Sequence, residues 1–189
     1  MEEIEVKFLD IDSKVLIKKL ESLGAKRIFE RLYRRRVFDY SDLRLNQNNS
    51  WVRLRDEGDQ ITLAFKQRIK PGAEGENDQG MQENEIVVSD FDQTTNILFK
   101  MGLIEKGYQE NKRIRYILND VEFDIDSWPK IPTYLEIEAD SWEKVERATE
   151  LLELNYDDKK IFSTTQVYEN YGIDLATYKK ATFEEMVLK

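Results

Sequence analysis

Wherever this sequence alternates with the two-residue period of a β-strand, one side of the strand is apolar and the other is charged almost throughout. The segment 2–9 sets Glu3, Glu5 and Lys7 against Ile4, Val6 and Phe8. The alternation returns with Arg34 and Arg36, Arg53 and Arg55, Lys66 and Arg68, Glu83 and Glu85, and Arg113 and Arg115. It ends with Glu122, Asp124 and Asp126, then Glu136 and Glu138. The apolar sides carry Val52 and Leu54, Leu63 and Phe65, Phe123 and Ile125, and Leu135 and Ile137. A solvated outer sheet face accounts for any single strand of this kind. Over eight strands it loses ground, because exposed sheet faces draw on Thr, Ser and Gln rather than on paired Arg and Glu. Ten of the twelve arginines fall on these segments, and the guanidinium fork suits phosphate oxygens in a way that lysine does not. The pattern predicts an α+β protein: a closed eight-stranded antiparallel barrel with charges inward, helices on its apolar outside, and room for one small ligand.

The absence of other chemistry narrows the ligand. With no histidine and no cysteine, the chain has no imidazole base, no thiol nucleophile and no structural zinc site. It contains neither G-x-x-x-x-G-K-[ST] nor G-x-G-x-x-G, so side chains rather than a helix-start loop must hold any phosphates. Clustered carboxylates beside many cations suit a polyphosphate together with Mg²⁺ or Mn²⁺, which prefer oxygen ligands. The net charge of −9 argues against duplex nucleic acid and anionic membranes as partners, although an average of this kind hides local basic sites. The start Met-Glu-Glu-Ile-Glu has no secretory pattern and no apolar run approaches membrane-spanning length, so a cytoplasmic protein is expected.

The order of elements suggests a duplication within one domain, 1–189. A strand at 2–9 precedes a helix at 13–23, with Asp12 placed as N-cap and Gly24 as the glycine after its end. Strands follow at 26–40, 51–56 and 60–68, and a glycine-rich segment at 70–80 reads as a flexible loop. The second copy, 81–140, runs strand 82–88, helix 92–101, and strands near 108–119, 120–127 and 133–139. Glu83, Glu85, Asp90 and Asp92 repeat Glu3, Glu5, Asp10 and Asp12 at one offset. In 141–189 helices are expected. The first has Asp140 and Glu143 as a capping box and Val145, Ala148, Leu151, Leu152 and Leu154 as its buried stripe. One or two more are expected around 167–171 and 178–187. Trp51, Trp128 and Trp142 read as packing residues rather than stacking platforms.

Glu3-Ile4-Glu5-Val6-Lys7 resembles the E-x-E-x-K signature that opens the CYTH superfamily, the triphosphate tunnel metalloenzymes. In order along 2–140, Val52-Arg53-Leu54-Arg55 is similar to the family's paired-arginine strand, and Thr62 to Lys66 to its T-x-K-type strand. Glu85 is similar to its mid-chain acidic strand, Lys112-Arg113 to its second basic strand, and Asp126 with Glu136 and Glu138 to its closing metal site. The chain departs from the family at Arg36, where an acidic residue is common, and in the Ser-Tyr element, matched only loosely by Ser163 to Tyr168.

The resemblance implies a tunnel that binds a small-molecule triphosphate with a divalent metal. Glu3, Glu5, Glu85, Asp126, Glu136 and Glu138 would hold metal; Lys7, Arg53, Arg55, Lys66 and Arg113 would grip phosphates, joined by Arg36 and Arg115 from strand phase. Glu5, Lys7 and Glu136 would be catalytic. Lys159 and Lys160 either add a late basic contact or form a solvated charge run. Attack by water makes the protein a triphosphatase acting on inorganic triphosphate, thiamine triphosphate or a nucleotide. Attack by the ATP 3′-hydroxyl on the α-phosphorus makes it a class IV adenylate cyclase. A noncatalytic triphosphate binder is the third expectation, and the carboxylates disfavour it. Oligomeric state is not legible in the sequence.

Overall fold

The computed structural model describes residues 4–70 and 79–189; Glu3 and nearly all of the expected loop lie outside them. The elements are β1 (Ile4–Phe8), α1 (Ser13–Ser22), β2 (Lys26–Tyr40), α2 (Arg44–Gln47), β3 (Ser50–Asp56), β4 (Ile61–Lys70) and β5 (Gln79–Val88). They continue with α3 (Phe91–Lys100), β6 (Leu103–Leu118), β7 (Val121–Ser127), β8 (Tyr134–Ala139), α4 (Trp142–Leu151), α5 (Thr164–Asn170), β9 (Tyr178–Ala181) and β10 (Met186–Leu188). The order strand, helix, three strands occurs twice, with the single turn of α2 inserted in the first copy. Local chemistry sets the helix ends. Asp12 accepts from the Lys14 and Val15 amides to cap α1, and Gly24 follows at φ +81°, a left-handed conformation that favours glycine.

The chain forms two compact units, Met1–Arg31 with Lys112–Tyr171, and Leu32–Asn111 with Gly172–Lys189. Neither unit is one copy of the repeat: β1 and α1 belong with β7 and β8, while β5 and α3 belong with β3 and β4. In the first unit the antiparallel order is β1-β8-β7-β6. Its core packs Val6, Phe8, Ile125 and Ile137 from the strands against Leu16 and Leu20 of α1 and Val145 and Ala148 of α4. Truncating a side chain as buried as Leu20, at 0% exposure, to alanine would cost about 2–5 kcal/mol. In the second unit β2-β3-β4-β5 are antiparallel neighbours, and Phe38 and Leu54 pack with Leu98 of α3 and Leu103. Among the described residues no ladder joins β1 to β5, so the sheet, antiparallel apart from β9 on β6, is not a closed ring.

Three expectations for the last third are corrected. Ser141 caps α4, while Asp140 pairs instead with Lys144 at 2.8 Å. Leu151 is 41% exposed, and the inward position falls to Thr149, whose hydroxyl donates to the Val145 carbonyl at 2.8 Å. The region around 178–187 is a β-hairpin, not a helix. β9 joins β6 in parallel through Tyr108↔Lys180 and Gln109↔Ala181, and pairing with a ready strand overrides the helical spacing of the sequence. No helix among the described residues is long and apolar enough to cross a membrane.

Candidate functional site

Residues opposite one another in a ladder share a face, and in the first unit that rule gathers the charges. Across β1, β8, β7 and β6 the pairs are Glu5↔Glu138, Lys7↔Glu136, Glu122↔Glu138, Asp124↔Glu136, Arg113↔Asp126 and Arg115↔Asp124. Three of these six oppose carboxylate to carboxylate, an arrangement that destabilises a sheet unless cations lie between. Arg113 supplies one such cation. Its Nε donates to Asp126 Oδ1 at 2.9 Å, Nη1 to Asp124 Oδ2 at 2.6 Å and Nη2 to Glu136 Oε2 at 2.5 Å. Lys7 supplies another, with Nζ 3.1 Å from Glu136 Oε1 and also bonded to Glu5. Arg115 supplies a third, donating to both oxygens of Asp124 and pairing with Glu122.

This web separates two neighbouring carboxyls. Burial works against the charge of Glu136, but Lys7 and Arg113 outweigh it and hold the group down to about 2. For Asp126 burial dominates in spite of Arg113, and the carboxyl is pushed up to about 6. Burial alone would lower Lys7; Glu136 and Glu5 hold it above its ordinary value.

Carboxylate oxygens of Glu122, Asp124 and Glu138 lie within 4.8 Å of one another. Three hard oxygen donors that converge in this way fit Mg²⁺ or Mn²⁺, whose bonds to oxygen are about 2.1 Å for Mg²⁺. Glu138 was expected from the sequence. Glu122 and Asp124 were placed on the charged face but not in the metal set. The available signal was the strand phase of 121–127, which puts both beside Asp126.

The second unit carries a largely basic face. Arg53 and Arg55 lie opposite Ala64 and Thr62, and beyond Ala64 comes Glu85; Lys66 is opposite Trp51 and Glu83. Arg53 Nη2 donates to Glu83 and Glu85 at 3.0 Å each, Lys66 Nζ is 2.9 Å from Glu83, and Arg55 Nε donates to Glu57 at 2.7 Å. Glu85, expected as a metal ligand, is thus a partner of Arg53. Burial lowers the pKa of both Arg53 and Lys66, and the charge of a neighbouring arginine lowers each further. An anion placed against them would relieve that repulsion.

Arg36 is not part of this face. The register Arg35↔Arg55 and Arg36↔Leu54 sets Arg35 beside the phosphate candidates and turns Arg36 to the side of Phe38 and Leu54. There Arg36 pairs with Glu105, and its guanidinium lies 5.4 Å from the Phe91 ring and 5.1 Å from the Tyr108 ring, in a cleft of about 460 Å³. In the run Arg34-Arg35-Arg36 each face receives an arginine, so strand phase alone could not choose between them. In the first unit, Lys160 bridges Lys7 through two backbone hydrogen bonds of 2.8 Å, which brings its side chain to the face of Lys7. Lys159 instead lies over the Tyr156 ring at 3.6 Å.

An antiparallel α+β fold with ordered carboxylates on one charged sheet face and clustered cations on another defines the class of protein. The CYTH domain profile matches residues 1–167, and the chain belongs to that family. Among solved structures it is similar to a conserved hypothetical protein from Pyrococcus furiosus, with 20% identity, a TM-score of 0.69, and coverage of 88% of this chain and 99% of that one. It is also similar to a putative adenylate cyclase from Vibrio parahaemolyticus, with 14% identity, TM-score 0.67, and 88% and 97% coverage. A third is a putative adenylyl cyclase from Hippeastrum, described as having a dominant triphosphatase activity, with 16% identity, TM-score 0.65, and 93% and 99% coverage. At these identities the likeness is one of fold. No curated protein matches the chain.

Proposed function

We propose that the protein is a divalent-metal-dependent phosphohydrolase acting on a small triphosphate-containing substrate. The observation that carries this function is the convergence of Glu122, Asp124 and Glu138, because a simple anion binder gains nothing from carboxylates turned toward its ligand. Those three side chains, with Glu3 and Glu5, would hold Mg²⁺ or Mn²⁺. When bound, the metal supplies charge neutralisation on phosphate oxygens and activation of water. Arg35, Arg53, Arg55 and Lys66 bind and align the phosphate chain, with Lys160 as a further basic contact; fixed cations that need no rearrangement lower the barrier through positioning and electrostatics. Lys7 and Arg113 keep Glu136 ionised and fixed, and Asp126 is the carboxyl best suited to exchange a proton near neutral pH.

The activity reported for the Hippeastrum protein favours hydrolysis over cyclisation within the same fold. Purified protein, incubated with Mg²⁺ or Mn²⁺ and a panel of ATP, inorganic triphosphate and thiamine triphosphate, tests the assignment. Release of orthophosphate is expected. Cyclic AMP with pyrophosphate would replace it with a cyclase, and tight binding without turnover would leave only a triphosphate sensor.

A further inference from the structure

The bonding of Asp124 has a consequence for the order in which metal and substrate bind. Its Oδ1 accepts from Arg115 Nε at 2.7 Å, and its Oδ2 accepts from Arg115 Nη2 at 2.5 Å and Arg113 Nη1 at 2.6 Å. A carboxylate offers about four lone-pair sites, so three are already taken by guanidinium groups. One site is left, on Oδ1, so a cation that takes up Asp124 there shares that oxygen with Arg115 and weakens the arginine bond.

The two arginines are not equally placed. Arg113 keeps Asp126 and Glu136 if it loses Asp124. Arg115 pairs with Glu122 and Asp124, and both belong to the convergent trio with Glu138. A divalent cation at the trio competes with Arg115 for both of its partners and repels its charge as well. The Arg115 guanidinium already lies 5.6 Å from the Phe29 ring, a surface on which a released guanidinium can rest.

We propose that Arg115 and the divalent cation compete for Glu122 and Asp124, so that metal binding releases Arg115 to grip the phosphates of the substrate. This rests on the metal-dependent function above and adds to it a direction: metal binds first and creates part of the triphosphate site. Arg115 is then a phosphate ligand only in the metal-loaded protein. Its removal should have opposite effects on the two ligands.

Two measurements on the full chain test this. In ¹⁵N-labelled protein the Arg115 Nε–H signal, identified by its loss in Arg115→Lys, is followed during titration with Mg²⁺ alone. It should shift and lose protection from exchange, while the Arg113 signal stays protected. In parallel, Mn²⁺ affinity is measured for wild type, Arg115→Gln and Arg115→Lys. Arg115→Gln should bind Mn²⁺ about tenfold more tightly, and Arg115→Lys should also bind it more tightly, because lysine keeps the charge but cannot reproduce the fork. Both variants should bind inorganic triphosphate at saturating Mn²⁺ about tenfold more weakly. Unchanged Mn²⁺ affinity in Arg115→Lys would reduce the effect to net charge and overturn the competition. Mn²⁺ bound by wild type with the Arg115 signal unmoved also overturns it, and leaves the metal-dependent function standing. Wild-type protein that binds no Mn²⁺ overturns both.

Discussion

Lys7 of β1 and Glu136 of β8 face each other across their ladder with Nζ 3.1 Å from Oε1, and their side chains are only 3% and 9% exposed. Removing one member of such a buried pair strands the other charge, at about 3–5 kcal/mol. Glu136→Gln is expected to destabilise the protein by roughly that amount at neutral pH.

The same pair fixes a pH dependence. Glu136 is held down to about 2 from an ordinary 4.5, so its stabilising contribution is full above 4.5 and drains away as the pH falls toward 2. Asp126 acts in the opposite sense. Raised to about 6 from 3.8, it favours the folded state most below 3.8, and that contribution is lost as the pH rises through 6. Glu136 itself helps to raise Asp126, so comparing variant with wild type reads both groups at higher pH and reads Glu136 where Asp126 is protonated in folded and unfolded protein alike. In urea unfolding followed by tryptophan fluorescence, the stability gap between Glu136→Gln and wild type should narrow below about pH 4.5. A gap that stays constant down to about pH 3 would mean that Glu136 is not held below its ordinary range.

Arg35 and Arg36 are neighbours in sequence and belong to opposite faces of β2. Arg35→Ala is expected to weaken binding of inorganic triphosphate about tenfold, as loss of a charge-assisted phosphate contact should. Arg36→Ala should leave that affinity unchanged and lower stability by about 1 kcal/mol, through loss of the Glu105 pair and the two ring contacts. Calorimetric titration and thermal unfolding separate the two. A reversed ranking would put Arg36 on the binding face and contradict the register.

The two residues also mark how far sequence goes. Alternation placed Lys7, Arg53, Arg55, Lys66, Arg113, Arg115, Glu136 and Glu138 on charged faces, because a β-strand with one apolar side leaves no freedom of phase. It failed at Arg34-Arg35-Arg36, where both phases are charged, and only the partner register decides. The helix ends at Asp12 and Gly24 were legible because capping depends on neighbouring residues. The hairpin of β9 and β10 was not, since its first strand is fixed by Tyr108 and Gln109, some seventy residues earlier. The metal trio required pairing as well as phase: Glu122 and Glu138 meet only because β7 and β8 align them. Glu85 lies on the face that its phase implies, but its role is decided by Arg53, whose guanidinium reaches across β4.

Lys66 carries a pH dependence of binding rather than of folding. Burial and the Arg53 charge lower its pKa, so it begins to lose its proton at a lower pH than an ordinary lysine. A bound polyanion favours the charged form and draws the pKa back up, so binding takes up protons as the pH approaches the lowered value. Affinity for inorganic triphosphate should therefore fall on the alkaline side, starting below the ordinary 10.5. Lys66→Arg, which stays charged, should flatten that limb. Identical alkaline limbs in the two proteins would remove Lys66 from the phosphate contacts.

Glu138 stands between Glu5 on β1 and Glu122 on β7, both of the same charge. Directly opposed like charges in a sheet cost about 0.2–1 kcal/mol each, and a cation bound between them offsets that cost. Glu138→Gln keeps the shape and removes the charge. Its melting temperature in the presence of a chelator is the baseline against which the effect of metal is read. With Mn²⁺ at about a hundred times its dissociation constant, the wild type should gain about 2.7 kcal/mol from binding to the folded state. The variant should gain much less. Thermal unfolding of both, with chelator and with Mn²⁺, reads this directly. Equal gains in the two proteins would make Glu138 a structural residue, whereas a gain largely confined to the wild type is what a carboxylate kept for its metal must show.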